Sequence, residues 1–246
     1  PHIILGMEKE DYGLLDRVVC VSAFSRNQQI EYGIDEQKIH VIPNAIEPNI
    51  FHWNSRIQRS TKRYVFAGHI NYHKGVHLLL EAFEHALTKT PDINLDLYGE
   101  NQAWSKADPG YDQLSKRNFL DSEERIDWSQ VTKCLPQIRY HGEISHHDLA
   151  SVFQESGFCV NGSWNPETFG LISLEAQACG CFPILPNFGG FPETPQRFCP
   201  RFFFEPRNSA SLKKILTTVQ KIGKSPISAL RRRLVAFFAR MHAWSD

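Results

Sequence analysis

The chain has 246 residues, of which 41% are hydrophobic, and it carries 27 Lys plus Arg against 27 Asp plus Glu. That length and apolar content suffice for one large or two small globular domains, and the balanced charge gives no global field to recruit nucleic acid or an anionic membrane. No window holds the roughly 18 uninterrupted apolar residues of a spanning helix, and the first residues lack a signal-type apolar core, so a cytoplasmic protein is the expectation.

The chain opens at Pro1 in mid-pattern, as a fragment or a processed chain would. Residues 17–22 (RVVCVS) form a strand pattern, 23–32 a short helix, and 40–43 (HVIP) a second strand that stops at Asn44. Residues 50–62 are polar and read as a linker. From Tyr64 strand and helix alternate regularly. A strand at 64–67 is followed by a helix at 76–87 with Val76, Leu79, Leu80, Phe83 and Leu87 on one face. In the next strand, 93–98, Ile93, Leu95 and Leu97 alternate against Asn94 and Asp96. Between 99 and 136 the text is less regular and contains Pro109, Gly110, Trp104 and Trp128. It reads as a surface connection with one or two short helices, the tryptophans packed down as anchors.

The alternation resumes with strand 138–141, helix 146–154 capped by Ser145, and strand 158–160, then a helix of about three turns from Gly170 and strand 182–185. After a strand at 201–204, residues 209–222 form a helix. Residues 229–244 form another, basic at one end and apolar along Leu230, Leu234, Phe237, Phe238 and Met241, which suits either peripheral membrane contact or packing against a core. The whole predicts an α/β fold with a Rossmann-like parallel sheet, helices on both faces, and a ligand at the carboxyl ends of the strands.

Three strand-to-helix junctions carry residues suited to chemistry. In the first, 157–183, the leading N–H groups of the helix point into the crevice, where the unpaired donors and the dipole favour an anion such as phosphate, and Gly170 has no side chain to obstruct its approach. Glu167 in the loop and Glu175, about one and a half turns into the helix, can face the same crevice. As acceptors they suit hydroxyl groups, one of a ribose and one of a hexose, flanking a diphosphate. Spacing alone favours a plainer reading, a solvated loop acid and a helix acid favoured by the dipole.

In the second junction, GHINYHKG at 68–75, Gly68 brings backbone close to a ligand and Lys74 is a flexible point cation. A cation beside a helix N-terminus is mildly unfavourable alone, which speaks for an anionic partner. In the third, HGEISHHDL, the strand ends at Gly142. His146 and His147, like His77 and His85, read as solvated helix residues, and no spacing among the 11 histidines makes a metal site. Cys20, Cys134, Cys159, Cys179, Cys181 and Cys199 form no C-x-x-C pair and read as small core residues of a reducing compartment. Asn161-Gly162-Ser163 fits a glycosylation acceptor, dismissed for a cytosolic chain.

The run ETFGLISLEAQACGCFPIL, 167–185, resembles the E-x7-E signature of the retaining glycosyltransferases of family four, which have the GT-B fold, and every fixed position of the pattern is matched. Further segments resemble the family in the same order: VVCVSAFSRNQQIEYGI and VIPNAIEPNIF, YVFAGHINYHKGVHLLLEAF, LDLYGE, IRYHGEISHHDLASVFQES and GGFPET. The resemblance covers most of the chain. It implies the end of an N-terminal domain and a hinge at 1–60, a nucleotide-sugar donor-binding domain at 61–225, and a C-terminal helix at 226–246 that packs back across the domains.

The resemblance also implies roles. Lys74 would neutralise the diphosphate, with Gly68 and His69 beside it; the amides of Gly170 and Leu171 would hold phosphate oxygens. Glu175 would bind ribose hydroxyls, Glu167 would orient the hexose, Ile144 would pack on the base, and Phe169 would complete the donor pocket. Glu167 and Lys74 are the catalytic candidates, GGFPET would line the sugar side, and no obligatory metal or other cofactor is implied. The partners would be a UDP-sugar or GDP-sugar donor, an acceptor of unknown identity, and an N-terminal domain that the chain nearly lacks. Two positions depart from the family pattern. Ala45 replaces a glycine after Asn44, and His69 replaces an arginine, which would weaken phosphate binding or make it pH-dependent around the imidazole's reference pKa of about 6.5. His69 is also the argument for the alternative, a catalytically silent sugar-nucleotide-binding module with a regulatory or assembly role. A dinucleotide oxidoreductase is disfavoured because no G-x-G-x-x-G follows a strand, and a hydrolase using Glu167 and Glu175 because both acids flank an anion site.

Overall fold

The computed structural model describes residues 14–194 and 202–221. At its N-terminal end β1 (Val18–Cys20) and β2 (Ile39–Val41) pair in parallel, joined by helix α1 (Ala23–Tyr32). The helix starts where the Ser22 hydroxyl accepts the N–H of Ser25 and stops at Gly33, whose φ of 98° takes the chain out of the helical region. Cys20, Ile34 and Ile39 form a small core of their own. Among the described residues nothing covers the other side of this pair of strands, where Val19 and Ile42 are each 59% exposed.

The main sheet contains β3 (Ser60–Ala67), β4 (Asn94–Tyr98), β5 (Ile138–Tyr140), β6 (Ser156–Val160), β7 (Phe182–Pro186) and β8 (Phe203–Phe204). All six are parallel, in the order β5-β4-β3-β6-β7-β8. The connecting helices are α2 (Val76–Lys89), α3 (Tyr111–Lys116), α4 (Trp128–Cys134), α5 (His146–Glu155), α6 (Leu171–Ala178) and α7 (Ser209–Lys221). Helix α2 packs on α7 and α5 on α6. A sheet covered on both sides needs strands without a polar face, and every residue of β6 and β7 is buried. Tyr64 of β3 stacks on Phe158 of β6 with ring centroids 5.0 Å apart and meets Phe83 of α2 edge-on at 5.4 Å, so one aromatic column joins the centre of the sheet to its cover.

The chain lays down β3, β4 and β5 outward and then returns to place β6 against β3. The order therefore reverses between those two strands, and the loops that leave them diverge from a common crevice. Gly75 and Gly162 hold the two loops together. A Cβ on Gly75, where φ is +65°, would lie 1.9 Å from the carbonyl oxygen of Gly162. No other residue type permits that approach.

Several expectations need correction. Strand β3 begins at Ser60, inside the stretch read as a linker, and that stretch is pinned: Phe51 is buried and the Arg59 guanidinium lies 3.7 Å from the centroid of Trp53. Helix α6 has eight residues, about two turns rather than three, because Gly180 adopts φ +80° soon after it. Asp96, expected on a polar face, is 2% exposed. Burial alone would push its carboxyl up, but hydrogen bonds from His141 and Arg63, both 2.8 Å, and the charges of Arg63 and Arg139 outweigh it and hold the carboxyl below its ordinary range. His77, expected in solvent, is buried between Trp104 and Trp164 because the 99–136 connection folds over the start of α2. Trp104 and Trp128 do anchor that connection, Trp128 stacking on Tyr140 at 4.9 Å. Cys20, Cys159, Cys179 and Cys181 are buried as expected, whereas Cys134 at the end of α4 is exposed. Cys199 and the helix expected at 229–244 lie outside the described residues. Among the described residues no helix is long and apolar enough to cross a membrane.

This packing makes two predictions. Gly75→Ala should destabilise the fold by about 2–4 kcal/mol in denaturant unfolding, through overpacking and a strained φ; an unchanged midpoint would show that the loops do not meet. Burial holds the His77 imidazole at about 4, against an ordinary 6.5, with Glu81 pulling weakly the other way. The unfolded chain takes up a proton that the folded chain refuses between those values, so stability falls as pH drops through that window. His77→Leu should remove that loss, leaving the parent about 2–3 kcal/mol more acid-sensitive than the variant between pH 7 and pH 4.5. Parallel stability curves for the two proteins would overturn the assignment.

Candidate functional site

The crevice at the switch between β3 and β6 opens into a cleft of about 480 Å³. The β3 loop and the β6 loop form its floor as one unit. Besides the Gly75–Gly162 approach, the carbonyl oxygen of His73 accepts the N–H of Trp164 at 2.8 Å, and Asn71 Oδ1 accepts the N–H of Lys74 at 3.0 Å. Lys74 is thereby aimed across the crevice, where its Nζ lies 2.5 Å from Glu167 Oε1. The same carboxylate oxygen is 2.8 Å from Ser163 Oγ, which in turn lies 2.6 Å from Asn161 Oδ1. Glu167 thus has its rotamer set by a hydroxyl and its charge balanced by an ammonium, and among the described residues its second oxygen has no hydrogen-bond partner.

Helix α6 starts at the wall of this cleft. No side chain caps it: its N-cap is Gly170 at φ 88°. A Cβ there would fall 2.4 Å from Cε1 of Phe191, so the ring packed behind the loop requires the glycine whatever binds in front of it. The first N–H groups of an uncapped helix remain donors, and Gly170, Leu171 and Ile172 all line the cleft. Glu175, one turn further on, is half-buried. Burial raises its carboxyl above the ordinary range, and the charge of His146 across the cleft partly offsets that.

All nine residues singled out in the sequence, Gly68, His69, Lys74, Ile144, Glu167, Phe169, Gly170, Leu171 and Glu175, line this one cleft. The GGFPET segment does not. It lies behind the Glu167–Gly170 loop, with the N–H of Gly190 donating to the Glu167 carbonyl at 2.8 Å. Residues that the sequence reading passed over also face the cleft, among them Asn44, Tyr98, Glu100, Glu143, His146 and Thr168. Glu100 matters for His69. Its Oε2 lies 3.3 Å from His69 Nδ1 and accepts from Gln102 Nε2 at 2.7 Å, so the imidazole stands beside a carboxylate held in place by an amide. Glu100 closes the LDLYGE segment, two residues beyond the end of β4 at Tyr98, a position where side chains reach the carboxyl edge of a parallel sheet. His146 is exposed as expected, yet its place as the first residue of α5 turns it towards Glu175. The cleft therefore combines the Lys74 ammonium and an uncapped helix N-terminus with four carboxylates, of Glu100, Glu143, Glu167 and Glu175, a set suited to a polyhydroxylated molecule bearing an anionic group.

Comparison with known proteins is consistent with this arrangement. The family model described as glycosyl transferases group 1 matches residues 49–234, and that of Glycosyltransferase Family 4 matches residues 2–50. The phosphatidylinositol N-acetylglucosaminyltransferase gpi3 subunit of Schizosaccharomyces pombe is 24% identical over 193 residues, 76% of this chain and 38% of that protein. Glycogen synthase of Mycobacterium tuberculosis is 26% identical over 233 residues, 94% of this chain and 50% of that protein. The chain spans well under two thirds of the length of these curated relatives. Among solved structures, Anabaena HepE in complex with UDP and glucose superposes with a TM-score of 0.69 at 17% identity, covering 95% of this chain and 63% of that one. Staphylococcus aureus TarM, solved with UDP among its ligands, gives 0.68 at 14% identity, covering 92% and 41%. At such identities the likeness is one of fold. With one family model matched from residue 49 to 234 on a doubly wound sheet of the GT-B type, the chain belongs to the group 1 glycosyltransferases.

Proposed function

We propose that the cleft binds a nucleotide-diphosphate sugar and that the protein transfers its hexosyl group to an acceptor with retention of configuration. One observation carries the reading: Lys74 and the Glu167 carboxylate meet across the crevice beside the uncapped start of α6, with Glu175 one turn away. A diphosphate seated on the amides of Gly170 and Leu171 would be neutralised by Lys74 without an obligatory metal, and Glu175 would accept from ribose hydroxyls. Glu167 would use its open oxygen to orient the hexose, and Ile144 would pack on a uracil or guanine base beyond Gly142. His69, paired with Glu100, would stand where the family usually has an arginine, and Gly68 and Phe169 would complete the pocket. The solved HepE and TarM complexes, which contain UDP, support a nucleotide as the ligand.

The chemistry is then mostly electrostatic. As the bond to the departing diphosphate stretches, negative charge grows on its oxygens and positive charge on an oxocarbenium-like sugar. The fixed amides and Lys74 stabilise the first, and the Glu167 carboxylate stabilises the second. The facing wall and the acceptor site would come from an N-terminal domain, of which the β1–α1–β2 unit would be a part. The second reading, a silent sugar-nucleotide-binding module, draws on the His69–Glu100 pair, which offers a diphosphate less fixed positive charge than an arginine would.

Calorimetry with UDP, GDP, UDP-glucose and GDP-mannose tests the site. Lys74→Ala and Glu175→Gln should each weaken the best nucleotide about tenfold or more, and affinities equal to the parent's in both variants would remove these residues from the site. In the full-length protein, Glu167→Gln should lower the rate of sugar transfer or donor hydrolysis about a hundredfold while leaving diphosphate affinity within about twofold. A parent protein that binds donor but neither transfers nor hydrolyses it would instead establish the silent module.

A further inference from the structure

Glu193 lies outside the cleft, on the short turn Phe191–Glu193, yet it is bonded to a helix 169 and 170 positions away in sequence. Its Oε2 accepts the N–H of Ala23 at 2.6 Å and its Oε1 the N–H of Phe24 at 2.7 Å. These are the first two residues of α1, whose N–H groups find no partner within the helix. Helix α1 has no acidic residue in its own first turn, so Glu193 supplies from another part of the fold the carboxylate that the helix dipole favours. Beside it the buried Ser22 donates its hydroxyl to the carbonyl oxygen of Thr168 at 2.5 Å, and Thr168 is the residue between Glu167 and Phe169.

The turn that carries Glu193 grips the same loop from behind. Gly190 donates to the Glu167 carbonyl, the Phe191 ring fills the space under Gly170, and the Thr194 hydroxyl lies 3.1 Å from that of Ser173 in the first turn of α6. The backbone on both sides of the Glu167 side chain is thus restrained from two directions. One restraint comes from the Gly190 turn and the other from Ser22, and Glu193 ties the two anchors together. The β1–α1–β2 unit, with its separate core, meets the signature loop through this clasp.

We propose that Glu193 is a positioning residue: by fixing the start of α1 against the Glu167–Phe169 loop, it sets the direction of the Glu167 carboxylate and couples docking of the N-terminal unit to completion of the sugar subsite. The coupling to sugar rests on the donor-binding reading given above, whereas the clasp itself does not. Glu193 touches none of the groups assigned to the diphosphate or the ribose. Its loss should therefore be felt by the sugar and not by the nucleotide, a division that general destabilisation would not produce.

The test uses the full chain with Glu193→Ala and Glu193→Gln, followed by hydrogen exchange and by calorimetry with UDP, UDP-glucose, GDP and GDP-mannose. Glu193→Ala should speed exchange in peptides spanning 22–26 and 161–170 and leave those spanning β4 unchanged. It should weaken the better nucleotide sugar about tenfold while its nucleoside diphosphate stays within about twofold, and Glu193→Gln, which keeps one acceptor oxygen, should fall between the variant and the parent. Parent-like exchange at 161–170 in Glu193→Ala, or equal weakening of sugar nucleotide and bare diphosphate, would overturn the proposal. If the parent binds none of the four nucleotides, the donor reading fails by itself and the sugar coupling with it, and exchange at 161–170 still decides whether the clasp exists.

Discussion

The site depends on a contact between two backbones. Where the loops leaving β3 and β6 cross, Gly75 and Gly162 approach so closely that a single added carbon would occupy the space of a carbonyl oxygen. That approach places the lysine of one loop within reach of the acid of the other, and the bond from Trp164 to His73 locks the register between them. Parallel sheets of this order form a crevice at the reversal point whatever they bind. Chemistry enters because the glycines let the crevice close until opposite charges share it.

The Lys74–Glu167 pair costs little to keep. Both side chains remain about a quarter exposed, so neither has been fully desolvated, and their attraction in that setting is modest. Its value is geometric. A lysine has many rotamers, and one held by Glu167, itself held by Ser163, needs less ordering when an anion arrives. Asp96 works differently on the neighbouring strand. It is fully enclosed and takes bonds from Arg63 and His141 and the charge of Arg139, so it cross-links β3, β4 and β5 from within and stiffens the edge on which the cleft rests.

The strand–helix alternation was legible in the sequence because parallel strands between helices leave near-continuous apolar runs, and the helix expected at 23–32 is α1 to the residue, bounded in the structure by the Ser22 cap and Gly33. The cleft residues were legible for a different reason: they sit at strand ends before helices, where the fold always directs its loops, and their motifs occur in family order. Burial of polar groups was not legible. Asp96 and His77 look like surface residues until a partner 33 or 45 positions away, or a folded connection, covers them. The Glu193 bonds were hidden for the same reason, since an acid that caps a helix 169 residues earlier leaves no trace in local spacing. The demand that the Phe191 ring makes on the glycine at 170 was not legible either, because the ring lies 21 residues on.

The tripeptide Asn161-Gly162-Ser163 is an oligosaccharide attachment signal by its letters, and the fold disables it. Asn161 and Ser163 are both buried, and the asparagine's side-chain oxygen accepts the backbone N–H of Ser163 at 2.7 Å. Gly162 between them is pressed against Gly75. Once the sheet has closed, an oligosaccharyl-transferring enzyme would meet no accessible carboxamide, so the signal can be read only on the nascent chain. Folding itself, whatever compartment the chain enters, withdraws that asparagine from reach.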